Sequence, residues 1–194
     1  MPYRLLLAAL VALATATAAQ AADIRRVVTG LDASNKAIVQ FDERLPLAPG
    51  PYGIAGLNLW ITDSSPAPLV FDGDPAKKPI GISPPDNGSK FRVVEFGPLD
   101  KATEAKIEPE FLMKTVGDKA PKRGLKVTHP LMHRTRSLDY AVILSGEIDM
   151  VLDDTSVHLK PGDVVVQQAT NHGWVNHGTA PCRILFVLMD SKEP

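Results

Sequence analysis

The chain of 194 residues holds one cysteine, Cys182, so no disulfide can form within it and no CxxC pair exists to bind a metal or carry redox chemistry. Cys182 opens the apolar run CRILFVLMD, which reads as a buried strand, and its thiol there is a small core side chain. After residue 21 no apolar run reaches the roughly 20 residues that a membrane-crossing helix needs. Neither sign of charge dominates, with 21 Lys and Arg against 22 Asp and Glu, so nucleic acid and anionic membranes have no electrostatic reason to bind. GxSxG, Walker and dinucleotide fingerprints are missing, and with them any visible support for acyl-enzyme or phosphate-cradling chemistry. Internal repeats and low-complexity segments are missing too.

What is present begins with MPYRLLLAALVALATATAAQA, in which Arg4 precedes an apolar run from Leu5 and the small residues Ala19 and Ala21 flank Gln20. That is the layout of a secretory signal peptide cleaved after Ala21. An N-terminal membrane anchor is the alternative, but Thr15, Thr17 and many alanines dilute the run. The expectation is an exported, soluble mature chain with no membrane partner, periplasmic if the source is a Gram-negative bacterium. It is long enough for one domain with its own core.

Short apolar segments alternate with 17 Pro and 14 Gly, which argues against a helical bundle. Strands are expected at 23–30, 36–41, 57–63 and 90–97. The stretches DERLPLAPGPYG and DGDPAKKPIGISPPDNGSK read as loops. One short helix is expected within 101–116, broken or restarted at Pro109. From Leu125 five strand-rich segments follow one another through short turns, with none of the helices that βαβ units require. The expected fold is all-β, a barrel or sandwich at 124–194 covered or extended by strands from residues 22–123. Pairing of an N-terminal strand onto an exposed sheet edge would protect that edge, and swapping it would make a homodimer.

The stretch HPLMHRTRSLDYAVILSG, residues 129–146, carries the chemistry. Alternate residues of a strand share a face, so His133, Thr135, Ser137 and Asp139 point one way and Arg134, Arg136, Leu138 and Tyr140 the other. A second polar face has His172, Trp174 and Asn176 at the same spacing. Two strands that each bring an imidazole inward can build a metal site.

These residues resemble the two motifs of the cupin superfamily, GX5HXHX3-4EX6G and GX5PXGX2HX3N. In the first, His133 takes the leading histidine, Thr135 stands where a second histidine is usual, Asp139 replaces the glutamate and Gly146 closes. In the second, Gly162 opens, His172 takes the histidine and Asn176 follows. The resemblance covers about residues 124–190 and implies a double-stranded β-helix, or jelly roll. It further implies a divalent Fe, Mn or Zn ion on His133, Asp139 and His172, with Thr135, Trp174, Asn176 and His129 beside a small-molecule substrate. The same side chains could instead hydrogen-bond in a polar pocket without metal. Two functions therefore stay open. One is a metal-dependent enzyme of dioxygenase, decarboxylase or isomerase type acting on a small oxygenated organic molecule, and the other is a non-catalytic module that binds a small ligand.

Overall fold

A computed structural model describes residues 23–108, 111–116 and 128–192. The expected signal peptide lies outside the described residues, as does Pro109. The strands are β1 (Ile24–Leu31), β2 (Ala37–Leu45), β3 (Ile54–Thr62), β4 (Ser89–Phe96), β5 (Ser137–Ser145), β6 (Ile148–Val151), β7 (Ser156–Leu159), β8 (Val164–Gln168), β9 (Gly173–Val175) and β10 (Cys182–Asp190). All pair antiparallel, as a sheet in the order β3-β4-β10-β5-β8, a smaller sheet β7-β6-β9 and the hairpin β1-β2. The chain is thus all-β, as its spacing predicts, and β3 and β4 are members of the large sheet itself. No helix among the described residues is long and apolar enough to cross a membrane.

Period-two burial explains the barrel. In β5, Ser137, Asp139, Ala141 and Ile143 are buried and face the interior, and in β10 the same holds for Cys182, Ile184, Phe186 and Leu188. They meet Val94 and Phe96 of β4, Ile148 and Met150 of β6 and Trp174 of β9 in one core between the sheets. Each buried Ile, Leu or Phe contributes about 1.5–3 kcal/mol relative to an exposed one. Gly146 turns the chain from β5 into β6 with φ of +70°, and a Cβ there would stand 2.3 Å from the Pro181 carbonyl oxygen, so no side chain fits.

A second core lies on the outer face of the large sheet, where Leu47, Ala55, Leu59 and Val93 pack with Ile24 and Leu45 of the hairpin. Arg26 fastens the hairpin there through Glu43, Asp74 at 2.6 Å and the Leu59 carbonyl at 3.0 Å. β2 runs four residues beyond the expected end at 41, because Asp42 and Glu43 pair across the hairpin with Arg25 and Arg26. The helix expected at 101–116 appears as α1 (Lys101–Glu104), capped by Asp100 accepting from the Thr103 N–H at 2.8 Å, and α2 (Phe111–Val116).

Lys90 of β4 is fully buried and donates from Nζ to the carbonyls of Gly81 and, at 3.3 Å, Ile82. Burial first, and the nearby Arg92 charge second, push its amine down to about 7 from the ordinary 10.5. The folded protein therefore binds this proton more weakly than the unfolded chain, and stability must rise with pH above about 7. Denaturant midpoints measured between pH 7 and 9 are expected to climb in the wild type and to flatten in Lys90→Met. A wild-type midpoint that falls across that range would contradict this account of Lys90.

Candidate active site

A cavity of about 90 Å³ opens between the sheets, bordered by His133, Thr135, Asp139, His172, Trp174 and Arg92 among a mainly apolar wall. At about 10–15 Å³ for each water, that is space for several waters or a small ligand. His133 precedes β5 and His172 precedes β9, and the two residues form an isolated antiparallel bridge, with N–H to carbonyl distances of 2.8 and 2.9 Å. This bridge sets their rings 4.3 Å apart between centroids.

The tautomers follow from the backbone. His133 Nδ1 lies 3.1 Å from the Leu131 carbonyl and His172 Nδ1 lies 2.9 Å from the Thr170 carbonyl. A carbonyl only accepts, so both Nδ1 atoms carry the hydrogen and both Nε2 atoms keep a lone pair in the neutral ring. Burial lowers the pKa of both, that of His172 strongly. The His133 ring adds to the lowering at His172, and the charge of Arg92 adds to that at His133. Both are neutral bases at neutral pH.

Asp139 is buried on the same wall, and desolvation lifts its carboxyl to about 6 against the pull of hydrogen bonds from Ser137 and Gln167. Gln167 Nε2 donates to its Oδ2 at 2.8 Å, whereas Oδ1 is buried without a partner. Thr135, also buried, shares a 2.7 Å hydrogen bond with Ser137. Among the described residues, no three His, Cys, Asp or Glu side chains gather closely enough to hold a metal ion. Two imidazole donors fit such an ion; with Asp139 held by Gln167, the carboxylate does not join them.

Of the residues expected in the site, His133, Thr135, Asp139, His172 and Trp174 border one cavity. Asn176 does not border it, because β9 ends at Val175 and the strand alternation with it. Its Nδ2 donates to the carbonyls of Phe96 at 2.8 Å and Ala180 at 2.9 Å, and its Oδ1 accepts from the Gly178 N–H at 2.9 Å, so it braces a corner. His129 is also absent from the wall, since its Nε2 is held by Glu104 at 3.0 Å and its Nδ1 accepts from the Leu131 N–H at 3.1 Å. Arg134 donates to the Ala169 carbonyl and Arg136 pairs with Asp190, outside the cavity. Arg92 of β4 is the wall residue that sequence reasoning passes over.

A family model described as "Cupin domain" matches residues 123–188. Phomopsin biosynthesis cluster protein C' of Diaporthe leptostromiformis is 34% identical over 179 residues, covering 86% of this chain and 78% of that one. The cupin-domain-containing oxidoreductase fogC of Aspergillus ruber is 47% identical over 66 residues, 32% of each chain. Among solved structures, a cupin superfamily protein of Desulfitobacterium hafniense covers 71% of this chain and 78% of its own at 13% identity, with a TM-score of 0.39.

Proposed function

Because this chain belongs to the cupin superfamily, we propose that its barrel cavity is the active centre of an enzyme acting on a small oxygenated organic molecule, with the neutral imidazoles of His133 and His172 as the acid–base pair. The observation that carries this reading is the pair of Nδ1 hydrogens given to the Leu131 and Thr170 carbonyls, which leaves two Nε2 lone pairs for whatever fills the cavity. One ring removes a proton from the carbon next to a carbonyl, and the electron pair of the broken C–H bond moves onto the carbonyl oxygen as an enolate. The imidazolium so formed is disfavoured by burial, so the proton returns to the substrate at a neighbouring atom. This is an isomerisation that needs no oxidant. Ser137 donates to Asp139, so the buried Thr135 hydroxyl gives its own hydrogen to Ser137 and can accept from a substrate hydroxyl, and the apolar wall around Trp174 keeps water from competing. Relatives named oxidoreductase align over about a third of their length, and proton transfer is the part of such chemistry that these side chains supply unaided.

A second reading is favoured by the partnerless Asp139 Oδ1 beside the cavity. Here His133 and His172 would hold a divalent Fe, Mn or Zn ion, with Asp139 released from Gln167 as the third ligand. Such an ion supplies Lewis-acid polarisation of a substrate oxygen. The test is deuterium uptake from D2O into small 2-oxo acids and 1,3-dicarbonyl compounds, followed by NMR with chelator-treated protein. Uptake is expected at the carbon beside the carbonyl. Failure of the chelated protein on every compound would overturn the acid–base reading, and recovery with one equivalent of Fe, Mn or Zn per chain would select the second.

A further inference from the structure

Arg92 enters the acid–base chemistry above only through its charge, which helps keep His133 neutral, yet it sits on the cavity wall. It projects inward from β4 on the face of Lys90, Val94 and Phe96 and is half-buried there. Its Nε is buried with no hydrogen-bond partner, and no carboxylate among the described residues pairs with it. Asp139, the acid on the same wall, gives Oδ2 to Gln167 and keeps Oδ1 unpartnered, but forms no ion pair with Arg92. Burial lowers the guanidinium to about 10, which still leaves it charged at neutral pH. A half-buried cation with its Nε sealed from water and idle, and with no counter-ion, gains from an anion supplied by something else.

The backbone makes room for this group. Across the sheet, a Cβ on Gly56 of β3 would fall 2.3 Å from Arg92 Nη2, so the glycine leaves the space that the guanidinium occupies. Gly56 is itself exposed, so the Nη2 edge of the guanidinium lies toward the protein surface. The imidazole pair, Thr135 and Asp139 belong to the same cavity, and the rest of the wall is aliphatic and aromatic, with Ile54, Leu112 and Phe186 among its members.

We propose that Arg92 is the anion-recognition residue of this cavity and that its ligand is a small organic carboxylate with an apolar body, the carboxylate on the guanidinium and the body along the apolar wall. The part of this proposal that calls the ligand a substrate rests on the acid–base reading of the histidine pair; the binding itself does not. A planar guanidinium presents a fork of N–H donors that matches a carboxylate, and such charge-assisted pairs are roughly twice as strong as neutral hydrogen bonds.

Titration calorimetry at constant ionic strength tests it with benzoate against benzamide, butanoate against butanamide, and inorganic phosphate. In the wild type each acid is expected to bind at least about tenfold more tightly than its amide, a difference of about 1.4 kcal/mol. Phosphate, which lacks an apolar body, is expected to bind more weakly than either acid. Arg92→Gln is expected to erase the preference for acid over amide, and Arg92→Lys to keep part of it. Equal binding of acid and amide, no millimolar binding of either acid, phosphate matching the acids, or an unchanged preference in Arg92→Gln would each overturn the proposal. The comparison within the wild type decides the matter should the variants fail to fold. An Arg92-dependent acid preference in a protein that exchanges no deuterium would sink the acid–base reading alone. Exchange without acid preference would sink this proposal alone.

Discussion

His172→Ala is expected to slow deuterium exchange into an active carbonyl compound by a factor of about 100 to 10,000, the usual contribution of one positioned acid–base group. The effect should be large because the ring is preorganised: the bridge to His133 fixes its backbone, the Thr170 carbonyl fixes its tautomer, and burial keeps it neutral. Loss of packing alone would also slow the protein, so His172→Asn is the decisive companion. Its amide can keep the hydrogen bond to Thr170 but has no ring nitrogen lone pair. It is expected to melt closer to the wild type than the alanine variant does and to react as slowly. Wild-type exchange in His172→Asn would show that His172 is no base. His133→Asn provides the same test for the other ring, and unequal losses would say which of the two takes the first proton.

The legible part of this site was the part carried by strand alternation. From His133 to Asp139 every second side chain is buried, even though the formal strand starts only at Ser137, because one face of this stretch meets the barrel interior and the other meets solvent. His172 and Trp174 followed the same rule. The rule stops at Val175, where β9 ends, and so it misplaced Asn176. Arg92 was illegible for the opposite reason. In SKFRVVEF both faces of β4 are covered, Val93 by the hairpin side and Val94 and Phe96 by the barrel interior, so the pattern lacks the contrast that marks an inner face. An arginine in such a strand reads as a solvent-facing charge. Only Gly56 hints otherwise, and its meaning depends on β3 lying beside β4, which the sequence does not state. The imidazole pair itself depends on the bridge between residues 133 and 172, a long-range contact that the family motifs imply and that periodicity alone does not.

Trp174→Ala is expected to lower the unfolding free energy by about 3–5 kcal/mol, the range for deleting a large buried aromatic. The indole is 4% exposed and lies between the two sheets. Its ring stands edge-on to Phe186 at 5.5 Å, tilted against Phe96 at 6.4 Å and edge-on to His172 at 6.1 Å. Each aromatic pair adds about 0.5–1.5 kcal/mol beyond simple burial. The neighbours cannot collapse into the space, because Phe96 is fixed by β4 pairing with β10 and Phe186 by β10 pairing with β4 and β5. The vacated volume therefore joins the cavity that Trp174 already borders. For a domain of this size the melting temperature should fall by about 6–20 °C. Trp174→Phe, which keeps the contact with Phe186 and loses the outer ring, should fall between the two. A loss below about 1 kcal/mol for the alanine variant would mean that the indole is not the divider between core and cavity. If it is, the enlarged cavity should admit bulkier amides than the wild type does, since an amide makes only the weaker hydrogen bond to Arg92 and its binding reports mainly on the apolar wall.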